Sequence, residues 1–345
     1  MANDIDINKE QTKQKELFGH PIGLYILFFT ELWERFSFYG MRAILTLYMT
    51  TKVTGDNPGL GWNEGFAFEI YGWYGMLVYV LSIPGGILAD KFIGQKKTVL
   101  VGGLILVAGH SILAIEAPWA FMTGLILIVL GVGGLKPNIS TMVGGLYAAG
   151  DARRDSGFTI FYIGINIGAF LASLVVGFVG ETVGWHYGFG MAGIGMLIGL
   201  LVYLFGLKYL QGIGEAPSQQ SQEEGGEESA SLGQLFKNLL NSPLHLIITS
   251  VLIIVSFILG FTLLEPGGNR YAYIALFIFL SISAGMMMMV YKDVNKVEKD
   301  RFIVLLLSFL IVIVFWGAFE QAGGLLNIYA KQKMDRLVSL SLLDI

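Results

Sequence analysis

The sequence predicts an all-α protein that crosses a lipid bilayer several times. Three observations carry that reading: 54% of the residues are hydrophobic, only 14% are charged, and apolar stretches of about helix-spanning length recur along the chain. A soluble domain carries roughly 25% charged residues, because it must cover its core with them. A mean hydropathy of +0.65 leaves lipid as the solvent for most of this chain.

Crossing about 30 Å of hydrocarbon takes around 20 helical residues at about 1.5 Å each. Nine stretches meet that length, approximately over 21–50, 66–90, 97–116, 119–146, 155–181, 186–210, 243–265, 270–292 and 301–330. Most are too long and continuous for core strands. Before them, residues 1–20 form a cytoplasmic segment whose polar, mixed-charge start does not resemble a cleaved signal peptide. Residues 21–210 then make a six-helix bundle. Residues 211–242 form a cytoplasmic linker, since GIGEAPSQQSQEEGGEES cannot bury a core. A helix pair follows at 243–292, one more helix at 301–330, and a tail at 331–345.

Orientation follows from Lys and Arg, which gather on the cytoplasmic side of short loops. With the amino terminus inside, the inner segments collect Lys91, Lys96, Lys97, Arg153, Arg154, Lys208 and others, while the outer loops between helices hold only Lys52 and Arg270. Lys331, Lys333 and Arg336 after the ninth stretch fall on the wrong side. In the short turn GILADKFIGQKK, Gly94 suits a tight reversal and Asp90 can cap a helix end. Gly164 with Gly168, and Gly195 with Gly199, have the spacing that lets helix backbones approach, and packing is their expected role.

Several functions are excluded. A net charge of −4 without a basic cluster argues against nucleic-acid binding. The absence of cysteine rules out disulfides, Cys-ligated metals and thiol nucleophiles. His20, His110, His186 and His245 lack metal-ligand spacing and read as surface or interface residues. A phosphate-binding GxxxxGK[ST] loop is missing, so ATP is not this chain's energy source. No nucleophile, base and orienting group come together as in an enzyme.

A charged side chain at the bilayer centre costs roughly 2.5–3.5 kcal/mol, so an intramembrane charge is a functional candidate by default. Glu31, Glu34 and Arg35 stand at i, i+3 and i+4 on one face of the first helix, near mid-membrane, with Arg42 two turns on. Lys136 precedes Pro137 and Asn138 in GLKPNIS, where proline frees backbone carbonyls. Asn166 lies in FYIGINIGAF, and Glu320 and Gln321 in FWGAFEQAG. Simple helix-to-helix pairing is the weaker reading of the charges, because neutral residues supply such contacts at about 0.6 kcal/mol without the insertion cost. For Asn166 and Tyr79 singly, packing and function both stay open.

These residues resemble the proton-dependent oligopeptide transporters of the major facilitator superfamily. ELWERFSFYGMRAIL resembles that family's first-helix motif, GGILADKFIGQKKT its loop between helices two and three, GLKPNIS and FYIGINIGAF its fourth and fifth helices, and FWGAFEQAG its seventh. The spans at about 243–292 resemble the pair that bacterial members insert between two six-helix halves. The resemblance runs from Phe18 to Ala330. It implies a multi-pass protein of the bacterial inner membrane that imports di- and tripeptides with protons, with no cofactor beyond the proton gradient and the oligomeric state left open. Glu31, Glu34, Arg35, Lys136 and Glu320 would then couple protons. Arg35, Tyr39, Arg42, Tyr79, Lys136, Asn166, Trp316 and Glu320 would face the peptide, with Arg42 and Glu320 also forming a gate.

Three departures stand out. Phe38 replaces the first tyrosine of the usual pair, and Gly72 stands where animal members carry a histidine. The chain supplies one complete bundle, the inserted pair and one helix of the second bundle, and after Asp335 and Arg336 the tail LVSLSLLDI stops resembling the family, as a frameshift or early stop would produce. Two rivals remain: a facilitator of another small solute, and a non-transporting membrane fragment that senses peptide.

Overall fold

The computed structural model describes residues 15–216, 238–263 and 270–334. The first fourteen residues, most of the linker and the tail after Met334 lie outside the described residues. The described chain is helical apart from one short hairpin, β1 (Glu16–Leu17) and β2 (His20–Pro21). Its contacts divide it into two units, residues 15–216 with 319–334, and residues 238–318.

The first unit begins with α1 (Ile22–Thr50), whose 29 residues extend about 43 Å, enough to cross a bilayer. Asn63 starts α2 (Glu64–Val80) by accepting the Phe66 N–H at 2.9 Å, the standard role of a helix-capping side chain. After α3 (Ser82–Leu88) and one π-helical turn, Gly94 reverses the chain at φ 81°, a conformation open to glycine at little cost. Then come α4 (Gln95–Leu113), α5 (Pro118–Gly145), α6 (Arg154–Ala172), α7 (Phe178–Thr182) and α8 (Trp185–Gly206). Pro118 opens α5 where its missing N–H costs nothing. Pro137 sits inside α5, and the Asn138 amide next to it donates to the carbonyls of Gly134 at 2.7 Å and Gly85 at 3.3 Å, tying α5 to α3.

The packing turns on α1, which lies along both α6 and α8. On α6, a Cβ at Gly164 would press the Phe28 ring at 2.9 Å, and one at Gly168 would lie 3.0 Å from Arg35 Cβ. On α8, Gly199 lies under Trp33, where a Cβ would approach at 2.9 Å, and Gly195 lies under Phe36. Both glycine pairs therefore serve the close approach of helix backbones to α1, and they enclose its Glu31–Arg35 segment from two sides.

At the end of the bundle that carries the chain's start, Arg153 donates to Glu16 at 2.8 Å, to the Gly19 carbonyl at 3.1 Å and to Asp151 at 2.8 Å, fixing the hairpin to the α5–α6 turn. Those bonds hold the Asp151 carboxyl below the usual carboxylate range. His20 shares a 2.8 Å hydrogen bond with the Tyr147 hydroxyl, which burial pushes up to about 12. The root of the linker is seated nearby: Lys96 pairs with Glu215, and its N–H donates to the Gly214 carbonyl at 2.8 Å.

The second unit holds α9 (Pro243–Leu263) packed along α10 (Arg270–Asp293), followed by α11 (Lys296–Phe319). The first unit resumes with a 3-10 turn (Glu320–Gly323) and α12 (Leu325–Lys333). The expected single helix over 301–330 is thus broken at Gly324, whose φ of −104° and ψ of −109° are not helical.

Seven helical segments among the described residues are long and apolar enough to cross a membrane. Their outward residues are large and apolar, such as Phe170, Phe205 and Ile311, as expected when the surrounding solvent is lipid. The protein is an all-α multi-pass membrane protein, as its composition predicts.

The glycine contacts make a test. Gly168→Val should destabilise the bundle by about 1–3 kcal/mol, the usual cost of overpacking, read as a lower unfolding temperature in detergent. Gly72→Ala, which meets nothing within 4 Å, should leave that temperature unchanged.

Candidate functional site

Two groups of polar side chains lie along α1. The first is Glu31, Glu34 and Arg35, all at most 3% exposed. Arg35 Nε lies 2.9 Å from Glu31 Oε1 and also contacts Glu34. Beyond these ion-pair contacts, Glu31 Oε2, both Glu34 oxygens, and Arg35 Nε and Nη2 have no further hydrogen-bond partner among the described residues. The arrangement is an ion triad of one guanidinium against two carboxylates. The guanidinium also faces two rings, with centroids 5.4 Å away for Phe38 and 6.0 Å for Tyr39. Phe38 in turn stacks on Tyr74 of α2 at 6.2 Å.

Lys136 and Tyr79 meet beside this triad. The ammonium lies 4.4 Å from the Tyr79 ring centroid, a cation–π contact. No ion pair joins Lys136 to Glu31 or Glu34 among the described residues. Asn166 is exposed on α6, and its amide donates to the Tyr162 carbonyl at 2.9 Å, within its own helix. Trp316 lies on α11 in the second unit, edge-on to Phe315 at 5.6 Å.

The second group joins α1 to the 3-10 turn and α12. Arg42 forms an ion pair with Glu320, and its Nη2 also faces the Glu320 backbone carbonyl at 3.3 Å. Tyr71 of α2 accepts from Arg42 Nε at 2.5 Å and donates to the same carbonyl at 3.1 Å. Further along, Thr46 donates to the Gly323 carbonyl at 2.8 Å, Asn327 to the Ala43 carbonyl at 2.6 Å, and Lys331 to the Thr51 hydroxyl at 3.1 Å. Between the two groups, Phe38, Tyr74, Gly75 and Tyr79 join Arg42, Tyr71 and Glu320 around a cavity of about 20 Å³, room for roughly one water.

Sequence reasoning singled out Arg42, Tyr79 and Glu320 but missed Tyr71, Thr46 and Asn327. Tyr71 left a faint signal, standing with Tyr74 and Tyr79 on an aromatic-rich α2. Thr46 and Asn327 left none, because each acts through a backbone carbonyl more than 270 residues away. Among the described residues no cluster of His, Asp or Glu has the makings of a metal site. His110, expected at a surface or interface, is fully buried, and neither ring nitrogen has a hydrogen-bond partner among the described residues.

Breaking a buried charge group from one side leaves its partner uncompensated, at about 3–5 kcal/mol. Arg35→Ala should therefore lower the unfolding temperature in detergent sharply. The triple variant Glu31→Gln, Glu34→Gln, Arg35→Met should recover most of the loss, because it removes every member of the triad together.

A family model described as "PTR2: POT family" matches residues 96–343, which extends past Arg336 into the tail expected to fall outside the resemblance. An uncharacterized transporter, YclF, of Bacillus subtilis (strain 168) is 39% identical over 324 residues, covering 93% of this chain and 62% of that protein. A di-/tripeptide transporter of Lactococcus lactis subsp. lactis (strain IL1403) is 37% identical over 331 residues, covering 93% of this chain and 63% of its own length. Among solved structures, a POT family transporter in complex with a thioalcohol conjugated peptide superposes with a TM-score of 0.73 at 32% identity, over 96% of this chain and 66% of the other. This chain thus spans a little under two thirds of the length of these relatives. The family match and the shared helical architecture agree: the chain belongs to the POT family of transporters, with the major facilitator fold.

Proposed function

We propose that this chain takes part in the proton-coupled uptake of di- and tripeptides across a bacterial inner membrane, with its amino terminus in the cytoplasm. The observation that carries the proposal is the ion triad of Glu31, Glu34 and Arg35, buried inside the helical bundle. A charge group kept this way on the bland ground of stability is a poor choice, since apolar residues of similar size do as well or better. The relatives named as di-/tripeptide transporters and the peptide-bound solved structure support the same reading.

The chemistry of the substrate fits the residues. A short peptide is a zwitterion with variable side chains, so an importer grips its two charged ends. Arg35 and Lys136 suit the carboxylate, arginine through its planar fork. Tyr39, Tyr79 and Asn166 offer hydrogen bonds to the peptide amide. In this proposal Arg42 and Glu320 form the outer gate. A proton taken up by Glu320 removes the charge that holds Arg42, so the gate opens as the proton binds, while Glu31 and Glu34 pass protons against Arg35 and Lys136. The driving force is sufficient: one charge crossing 100 mV releases about 2.3 kcal/mol, and each tenfold accumulation of a neutral solute costs about 1.4 kcal/mol. No cofactor and no catalytic chemistry are required.

Uptake into vesicles that contain only this chain, driven by an inward proton gradient, tests the proposal. Labelled dialanine should accumulate, di- and tripeptides should compete, and free alanine should not. Competition by an unrelated solute instead supports a facilitator of different specificity, and absence of all uptake supports the non-transporting fragment. Glu320→Gln should abolish accumulation while peptide counterflow persists; uphill uptake surviving in that variant contradicts the role given to Glu320.

A further inference from the structure

We infer that Tyr71 is a positioning residue of the Arg42–Glu320 gate, a neutral strut that holds Arg42 against the Glu320 backbone carbonyl whether or not the Glu320 side chain is charged. The inference rests on the gate reading above and adds a second, charge-independent component to it.

The geometry of three groups carries the argument. Tyr71 projects from α2, Arg42 from α1, and the carbonyl of Glu320 from the 3-10 turn. The phenol oxygen accepts the Arg42 Nε–H at 2.5 Å and its own hydrogen goes to the Glu320 carbonyl at 3.1 Å, so one hydroxyl joins three segments. The Arg42 guanidinium also lies over the Tyr71 ring, 5.3 Å from its centroid. None of these contacts uses the Glu320 carboxylate. Neutralising that carboxylate removes the ion pair but leaves a neutral donor on a backbone carbonyl and a guanidinium on a neutral oxygen.

Gly323 is the second part of the device. A Cβ there would lie 2.5 Å from the Tyr71 hydroxyl oxygen and 3.1 Å from Arg42 Nε. Only glycine lets the 3-10 turn come close enough for the strut to reach its carbonyl. Thr46, which donates to the Gly323 carbonyl at 2.8 Å, fixes that turn from the α1 side. The gate therefore loosens in two steps: loss of the ion pair, then release of Tyr71 from the carbonyl.

The sequence has no cysteine, so two spin labels can be placed on the full chain without background. Thr54→Cys and Lys333→Cys put them on exposed positions, the first beyond the end of α1 and the second in the last turn of α12, outside the gate. Distance distributions by pulsed electron resonance in lipid nanodiscs then report closed and open populations. The labelled chain should show a dominant short distance, and Glu320→Gln should reduce that population without removing it. Tyr71→Phe keeps the ring but loses the strut, and should lower the closed-to-open ratio about tenfold, the size of one charge-assisted hydrogen bond. Tyr71→Phe with Glu320→Gln should abolish the short distance. Gly323→Ala, with Tyr71 intact, should reproduce the shift of Tyr71→Phe. Helix content by circular dichroism should stay unchanged in all variants, separating loss of the strut from loss of the fold. Distributions in Tyr71→Phe and Gly323→Ala that superpose on those of the parent, with and without Glu320→Gln, overturn the inference while leaving the ion-pair gate standing. A parent chain without any short distance overturns the gate and the strut together.

Discussion

Keeping Glu31, Glu34 and Arg35 out of water is the constraint on which the rest of the bundle depends. Removing an ion from water costs several kcal/mol even after relaxation, and here the offset comes from the attraction of Arg35 to both carboxylates, two aromatic rings and tight helix packing. The glycine pairs on α6 and α8 let those helices close over α1 at backbone distance, which excludes lipid and water from the triad. The same closeness leaves both carboxylates sharing one cation, Arg35, so a change of protonation or the arrival of a charged ligand alters a local balance of charge. Structure and reactivity thus have a single origin in the wedging of one charged helix between two glycine-lined ones.

Along α1 the two polar groups differ in kind. The triad is made entirely within one helix, whereas Arg42 reaches across to segments distant in sequence. A group confined to one helix can hold or exchange charge without moving the bundle. A group that bridges helices cannot change its contacts without changing how those helices meet. This division is what the proposed roles require, charge handling by Glu31 and Glu34 and opening at Glu320.

Much of this was legible in the sequence. Composition and the length of the apolar runs suffice for the fold class, because both follow from the solvent. The cost of intramembrane charge points to Glu31, Glu34, Arg35, Arg42, Lys136 and Glu320 before any coordinates, and the glycine spacing points to close packing. What depends on rotation and long-range pairing was not legible. Lys136 lies against the Tyr79 ring, a contact between two helices that no local pattern in either segment announces. The break at Gly324 falls at the Gly323–Gly324 pair, a turn signal that the continuous apolar run before it masks. Tyr71, Thr46 and Asn327 reach backbone carbonyls, and a carbonyl has no letter in the sequence.

The central claim is that the α1 carboxylates change protonation when a peptide occupies the site. Infrared difference spectroscopy on the reconstituted chain, recorded on addition of dialanine, reads this most directly. The account predicts a change in the protonated-carboxyl stretching band that disappears in the Glu31→Gln, Glu34→Gln variant. Binding of dialanine with no change in that band, or a change that survives both substitutions, contradicts it.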